Sequence, residues 1–274
     1  MRRLISIVGN WRRQGTRHFL RHNYRTKARE HLPETSHISH SDVLIARRRR
    51  LFDVFLPEEF HRSADDPDRE GGVVSAHGSS TRTDDDVVIV GGGSGVTAVR
   101  AARIVGPGGS VRVFEGADEN VRRIRRAFEL NGVADRCTVE RAVVGPSRDV
   151  WGDASSAPRV APTDLPACDV LELDCEGAEL EILRNVEFVP RVAIVELHPW
   201  LFDGDAGAVE ELLSGMGHSV RNRYGHDGVV VTDEAEFEFL LQQSARDGDR
   251  YGASGARWPL VIEANGDTVA VDTE

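Results

Sequence analysis

The feature that most constrains the fold is an unbroken apolar run, Val87-Val88-Ile89-Val90, followed by GGGSG at residues 91–95 and a helix-like stretch at 96–104. A continuous β-branched run is typical of a strand buried on both faces of a parallel sheet. Glycines let the backbone adopt positive φ and approach a ligand, and a helix N-terminus offers free N–H groups and a partial positive charge. We therefore predict a strand–turn–helix unit that binds the polar or anionic end of a ligand. A tight turn without a ligand would give the same pattern.

Apolar runs and helix-like stretches continue to alternate after this unit, which is the signature of a parallel sheet covered by helices. The sequence predicts strands at residues 111–114, 138–144, 170–173 and 192–196, and helices at 120–130, 180–183 and 206–216. Residues 219–223 and 228–231 are spaced as a β-hairpin. The predicted fold class is α/β, a Rossmann-like methyltransferase fold with a mostly parallel seven-stranded sheet, helices on both faces and a terminal β-hairpin. A dehydrogenase Rossmann fold would more often continue with parallel βα units.

Composition divides the chain into four segments. Residues 1–62 form a basic N-terminal extension with 14 Arg or Lys against 6 Asp or Glu and a candidate short helix near residues 12–32. Residues 63–86 are interpreted as a linker or loop, with Val73-Val74 as a candidate added strand, and residues 87–233 as the core. Residues 234–274 are predicted to be a C-terminal extension with a hairpin around Asn265-Gly266. The basic extension is interpreted as a solvated tail, with peripheral contact to an anionic membrane or a lid over the substrate as alternatives.

Charge and hydropathy exclude several function classes. The net charge of −11 resembles that of proteins from salt-loving microbes and disfavours nucleic-acid binding, because phosphates would be repelled. No apolar run approaches the roughly 20 residues of a transmembrane segment, and the apolar stretch at residues 4–8 is too short to predict a secretion signal. The three cysteines form no CxxC pair, which argues against structural zinc or a disulfide framework. We expect a cytoplasmic protein without nucleic-acid partners, and the sequence gives no indication of its oligomeric state.

Glu115 gives the glycine-rich turn a more specific meaning. It ends the second predicted strand, 20 residues beyond Gly95, where a carboxylate can accept two hydrogen bonds from a ribose diol. The dinucleotide pattern GxGxxG would need a glycine in place of Val96, whereas Gly91, Gly93 and Gly95 form the GxGxG pattern that resembles methyltransferases. We predict that these three glycines and Glu115 bind a nucleoside cofactor. The alternative for Glu115 is a solvated carboxylate at a strand end.

The sequence LELDCEGAELEIL at residues 171–183 resembles the FkbM family of S-adenosylmethionine-dependent methyltransferases. Val195-Glu196-Leu197-His198 is similar to the end of that family's fifth strand, and the resemblance spans about residues 87–231. It implies S-adenosylmethionine as the cofactor and methylation of a hydroxyl on a small molecule or a glycan. One position departs from the pattern, since Ile89 stands where the family has an acid that helps to hold the glycine loop or the methionine end of the cofactor.

Three side chains are candidate catalytic groups. Asp174, Glu176 and His198 follow the fourth and fifth predicted strands, where the ligand crevice of an open α/β sheet lies, and each could accept the proton of the methyl acceptor. The structural alternatives are that Asp174 caps the next helix, that Glu179 only favours its first turn, and that His198 is a loop residue. Such a group could also hold a divalent metal, but its spacing is not diagnostic and we assign no metal ligand.

Two other function classes stay open from the sequence. The loss of the acid at Ile89 is compatible with a catalytically silent module that binds S-adenosylmethionine or a nucleotide. An NAD-dependent oxidoreductase would bind a nicotinamide cofactor at the same turn.

Overall fold

The computed structural model describes residues 34–48, 66–146, 153–198, 207–225, 227–246 and 260–266. Its strands are β1 Glu34–His40, β2 Val43–Arg48, β3 Asp86–Val90, β4 Ser110–Glu115, β5 Cys137–Arg141, β6 Val143–Val144, β7 Arg159–Val160, β8 Val170–Leu173, β9 Val192–Leu197, β10 His218–Tyr224 and β11 Leu260–Gly266. Its α-helices are α1 Gly71–Ser80, α2 Val96–Val105, α3 Asp118–Leu130, α4 Glu179–Asn185, α5 Gly207–Gly215 and α6 Glu234–Arg246. Across these ranges, every helix is too short or too polar to cross a lipid bilayer.

Seven strands form one sheet in the order β10-β11-β9-β8-β3-β4-β5. The five strands from β9 to β5 in this order pair in parallel, whereas β11 runs antiparallel to both β9 and β10. Val87 and Ile89 of β3 pack with α1, α2 and α3 in one apolar cluster, and Val88 and Val90 pack with α4, α5 and α6 in another. Because successive residues of a strand point to opposite faces, the two clusters lie on opposite sides of the sheet. The predicted mainly parallel seven-stranded α/β fold with helices on both faces is confirmed.

The pairing of the last strands differs from the sequence prediction. β10 pairs with β11, and only an isolated bridge between Tyr224 and Val230 remains of the hairpin predicted with residues 228–231. The prediction of a turn at Asn265-Gly266 was also wrong, since both residues lie in β11, where Asn265 pairs with Val192. Asp267 and the residues that follow it lie outside the described part of the chain. Asn265-Gly266 favours a turn locally, but here it continues a strand that pairs with β9 and β10 and is buried from Leu260 to Ala264. The pairing and burial of β11 therefore outweigh the local turn preference.

The segment interpreted as a linker contains α1, and no strand forms at Val73-Val74. Val73 and Ala76 are buried in the cluster that includes α2. Gly71 and Gly72, which the sequence analysis interpreted as part of a linker, allow α1 to pack closely against a neighbouring loop. A Cβ on Gly71 would lie 2.7 Å from the carbonyl carbon of Asp227, and one on Gly72 would lie 2.8 Å from the oxygen of Gly225. The absence of side chains there lets the start of α1 rest against the loop after β10.

Part of the basic extension belongs to the packed structure. β1 and β2 form an antiparallel hairpin, and Ile38, Val43 and Ile45 are buried in the same cluster as α2 and α3. Asn131 fixes the hairpin because its side chain accepts from the backbone N–H of Leu44 at 3.0 Å and donates to the Leu44 oxygen at 2.9 Å. Residues 34–48 are therefore not a solvated tail. The helix predicted near residues 12–32 lies outside the described residues.

Candidate functional site

The glycine-rich turn lies at the carboxyl end of β3 and contacts both neighbouring strand ends. Gly91, Gly93 and Gly95 all have positive φ, at 94°, 50° and 87°. The backbone N–H of Gly91 donates to the oxygen of Phe114 on β4 at 2.9 Å, and a Cβ on Gly91 would lie 1.6 Å from the backbone oxygen of Asp174 after β8. Only glycine fits at Gly91, because any side chain would overlap the backbone after β8.

Glu115 ends β4 and contacts this turn, as its sequence position predicts. Its Oε2 accepts from the backbone N–H of Gly93 at 3.2 Å, and its Oε1 accepts from the N–H of Ala117 at 2.8 Å. The residue is only 6% exposed, and burial raises the pKa of its carboxyl while hydrogen bonds from Ala117 and Gly93 lower it. Glu115 is therefore a fixed acceptor beside the loop and not a solvated carboxylate.

The three candidate catalytic residues come together at the next strand ends. Asp174 follows β8, His198 follows β9, and Glu176 lies in the turn before α4 with a positive φ of 55°. The Nε2 atom of His198 is 3.4 Å from Oδ1 of Asp174 and 4.0 Å from Oε1 of Glu176. The His198 side chain is 3% exposed, against 26% for Asp174 and 18% for Glu176, so the two carboxylates are more accessible to a substrate than the imidazole.

Glu179 fixes the orientation of this histidine. Its fully buried carboxylate lies 3.1 Å from Nδ1 of His198 and also accepts from the backbone N–H of Cys175 at 3.2 Å. Burial alone would lower the pKa of His198, but the hydrogen bond to Glu179 and the charges of Asp174 and Glu176 raise it to about 9. His198 therefore carries a positive charge at neutral pH and stabilises the carboxylates around it. Glu179 does more than favour the first turn of α4.

Glu196 belongs to this cluster although the sequence analysis did not select it as a site residue. Burial raises the pKa of Glu196 to about 7, and burial together with the charge of Glu196 raises the pKa of Asp174 well above its usual range. The two carboxyls form a hydrogen-bonded pair, which requires a shared proton. The sequence contained a signal for Glu196, because an acid in an otherwise apolar buried strand is unusual. Glu196 also lies two residues before His198, a spacing that puts both side chains on the same face of the sheet.

The same cluster has the spacing of a cation site. Ligand atoms of Asp174, Glu196 and His198 all lie within 4.8 Å of one another. Two carboxylates and an imidazole can coordinate a divalent cation. The cluster also contains its own positive charge as long as His198 is protonated, so its charges are partly balanced without a metal.

Glu70 approaches the glycine loop from the segment interpreted as a linker. It precedes α1 with a positive φ of 56°, and its Oε1 lies 3.8 Å from the position of a Cβ on Gly93. Burial raises the pKa of Glu70 to about 7, with a smaller opposing effect from Arg69, whose guanidinium is 3.8 Å away. No motif marks this residue, because its proximity to the loop depends on how α1 packs.

A buried hydrogen-bond network connects α1 to the sheet below the loop. Glu172 on β8 is 1% exposed, and its Oε2 lies 2.6 Å from Nε2 of His77 on α1. Its Oε1 accepts from the Thr97 hydroxyl on α2 at 2.8 Å, and Nδ1 of His77 is 2.8 Å from the hydroxyl of Thr81. This network fixes α1 relative to α2 and β8, and it therefore positions Glu70 relative to the glycine loop.

Comparisons with known proteins return distant similarities to methyltransferase structures. No family model matches the sequence, and no curated protein matches it. A SAM-dependent methyltransferase from Aquifex aeolicus is 13% identical over 68% of this chain and 84% of that chain, with a TM-score of 0.39. Precorrin-6y C5,15-methyltransferase from Geobacter metallireducens is 15% identical over 71% and 84%, with a TM-score of 0.44. A putative O-methyltransferase from Klebsiella pneumoniae is 14% identical over 66% and 72%, with a TM-score of 0.38. The resemblance to the FkbM family rests on the motifs at residues 171–183 and 195–198.

Proposed function

We propose that this protein is an S-adenosylmethionine-dependent methyltransferase that methylates a hydroxyl of a small molecule or a glycan. The observation that carries the proposal is the order of polar groups along one edge of the sheet. Glu115, the glycine loop and the Asp174–His198 cluster lie at the carboxyl ends of the neighbouring strands β4, β3, β8 and β9. In an open α/β sheet this edge is where ligands bind, so a single crevice would hold the cofactor next to the acceptor.

The cofactor is assigned to the glycine loop and Glu115. The carboxylate of Glu115 is fixed beside the loop by the backbone N–H groups of Gly93 and Ala117, and it also accepts from Asn120 and Gly92. A ribose diol would replace or share the weaker of these hydrogen bonds. Gly91, Gly93 and Gly95 keep the backbone free of side chains where the ligand would pass. When bound, S-adenosylmethionine supplies a methyl group on a sulfonium, which is already activated, so the protein must position an acceptor and take up its proton.

Asp174 is the proposed proton acceptor, with Glu176 and His198 as its partners in the acceptor site. Asp174 is the more exposed member of the Asp174–Glu196 pair, and it contacts the His198 imidazolium at 3.4 Å. A base with a pKa near the working pH is the most effective, and burial and charge repulsion move this pair in that direction. In this proposal His198 stays protonated and stabilises the negative charge, and Glu176 accepts a hydrogen bond from the acceptor.

Binding and turnover measured on the same protein test the proposal. Calorimetric titration with S-adenosylhomocysteine should give a saturable isotherm and NAD should give none, and mass spectrometry should detect methyl transfer to members of a panel of hydroxylated acceptors. Asp174→Asn should lower turnover by about 10²- to 10⁴-fold and change the dissociation constant of S-adenosylhomocysteine by less than about threefold. Asp135→Asn, at a 68% exposed side chain, is the matched control and should behave as wild type.

The outcomes separate the competing functions. Binding of NAD in place of S-adenosylhomocysteine would favour the oxidoreductase. Binding of S-adenosylhomocysteine without methyl transfer to any acceptor would favour the silent module. If Glu176→Gln abolishes turnover while Asp174→Asn does not, the proton acceptor is Glu176.

A further inference from the structure

Glu70 and Glu115 both lie close to Gly93, and they approach the glycine loop from different elements, Glu115 from the end of β4 and Glu70 from the residue before α1. In the sheet β3 lies between β4, which ends at Glu115, and β8. Glu70 interacts electrostatically with Glu172 on β8 and with Glu196 on β9. A ligand whose ribose binds Glu115 and that crosses the loop would therefore place its other end over β8, beside Glu70.

The surroundings of Glu70 favour a cationic group. Its carboxylate is largely buried, with 19% of the side chain exposed, and the nearest described cation is the 54% exposed Arg69 at 3.8 Å. Burial, together with the charge of Glu172, raises the pKa of Glu70 to about 7. Glu196 interacts with Glu70 and adds negative charge to the same region. Arg69 is largely exposed and the hydrogen bond from the backbone N–H of Thr97 carries no full charge, so a bound ligand cation would further lower the cost of burying the ionised carboxylate.

The β3 strand offers no acid for this purpose. Ile89 is fully buried and packs in the apolar cluster with α1 and α2. Glu70 instead has a left-handed backbone conformation, which is unfavourable for a residue with a Cβ. Backbone strain of this kind is often found at functional sites. Its Oε1 is 3.8 Å from the position of a Gly93 Cβ, which puts the carboxylate at the surface of the loop that the cofactor would contact.

We propose that Glu70 binds the primary ammonium of an α-amino acid group, the methionine end of the cofactor, and thereby supplies the carboxylate that Ile89 does not. The inference rests on the proposed function, because it requires the cofactor to cross the glycine loop. An ammonium offers three N–H donors and a full charge to a carboxylate acceptor.

The test compares two ligands that share the adenosine part. S-adenosylhomocysteine has the ammonium, whereas 5′-methylthioadenosine lacks the whole amino acid end. Titration of wild type and Glu70→Gln with both should show S-adenosylhomocysteine weakened by about 10- to 100-fold in the variant, as expected for a hydrogen bond between charged groups, and 5′-methylthioadenosine changed by less than about threefold. Glu211→Gln, at an exposed position on α5, is the control and should change neither affinity.

A ligand-side measurement keeps the test independent of how well the variant folds. Wild type should bind the analogue that has a hydrogen in place of the ammonium of S-adenosylhomocysteine about 10- to 100-fold more weakly than S-adenosylhomocysteine itself. Equal affinities of wild type for these two ligands would overturn the inference, as would a Glu70→Gln variant that weakens both adenosine ligands equally or neither. If wild type binds no adenosine ligand at all, the proposed function fails, which is a different result.

Discussion

Adding a methyl group at Gly91 should mainly destabilise the fold, whereas adding one at Gly93 should mainly weaken ligand binding. In Gly91→Ala the new Cβ would lie 1.6 Å from the backbone oxygen of Asp174, far inside contact distance, at a φ of 94°. In Gly93→Ala the nearest heavy atom to the new Cβ is Oε1 of Glu70 at 3.8 Å, an ordinary contact, and the φ of 50° lies in the left-handed region. The first substitution must separate the loop from the end of β8, whereas the second leaves the fold in place.

The magnitudes follow from these distances. Gly93→Ala should cost about 1 to 2 kcal/mol of unfolding free energy for the left-handed backbone. Gly91→Ala adds overpacking against a backbone atom, so we expect a loss of at least about 3 kcal/mol, a large part of the roughly 5 to 15 kcal/mol that stabilises a domain. The methyl of Gly93→Ala lies beside Glu70, where the ligand would pass. It should therefore weaken S-adenosylhomocysteine by at least about tenfold, or about 1.4 kcal/mol.

Urea denaturation and calorimetric titration measure the two effects separately. Gly93→Ala should unfold only slightly earlier than wild type and bind poorly, and Gly93→Val should bind still less because of its branched side chain. Wild-type affinity in a folded Gly93→Ala variant would refute the assignment of the cofactor to this loop. A Gly91→Ala variant as stable as wild type would refute the close packing of the loop on β8.

Three further predictions address the base, the ribose acceptor and the N-terminal hairpin. Turnover should rise with pH through about 7, where Glu196 ionises and leaves the Asp174–Glu196 pair with a single proton, so that the pair can accept another, and it should fall above about 9, where His198 loses its charge; a flat profile of kcat from pH 5.5 to 9.5 would contradict this pairing. Glu115→Ala should weaken S-adenosylmethionine by roughly 1.5 to 3 kcal/mol in a titration, and an unchanged dissociation constant would place the ribose elsewhere. Val43→Ala should lower the unfolding free energy by about 1.5 to 3 kcal/mol because Val43 is fully buried. The control Leu44→Ala, at 41% exposure on the same strand, should cost under about 1 kcal/mol. Equal effects of the two substitutions in urea denaturation would mean that the hairpin does not pack as described.

The central strands could be predicted from the sequence because their signal is local. A strand buried on both faces reads as a continuous apolar run, and the run at residues 170–173 corresponds to β8 without any shift in its ends. β11 could not be placed in this way, because its position between β9 and β10 depends on partners that lie far away in the chain. α1 was missed for a related reason. Gly71 and Gly72 are typical of a chain break, but they are needed here because α1 packs closely against the loop near Asp227. That contact is not visible in the local sequence.

The candidate site also contains residues that local sequence patterns predict and properties that depend on distant parts of the chain. Gly91 and Glu115 were predictable because their positions relative to two strand ends are fixed by the βαβ geometry, and the structure brings Glu115 to the loop. The FkbM-like motif placed Asp174 and His198 on adjacent strand ends, and they lie 3.4 Å apart. The charge state of His198 could not be predicted, because it depends on carboxylates contributed by α4 and by the turn before it.

The position of Glu70 connects the fold to the proposed chemistry. Glu172 and Asp174 alternate along β8 and its end, as do Glu196 and His198 along β9, so one face of the sheet carries acids towards its carboxyl edge. α1 covers part of this face through the buried contact between His77 and Glu172, and the residue that precedes α1 is Glu70. The helix α1 therefore covers Glu172 and, through the preceding residue Glu70, brings another carboxylate to the glycine loop. A concentration of carboxylates is unfavourable for folding alone, and it suits a crevice that receives a ligand with a sulfonium and an ammonium. Residues 66–80 therefore belong to the proposed binding site and not to a linker in front of it.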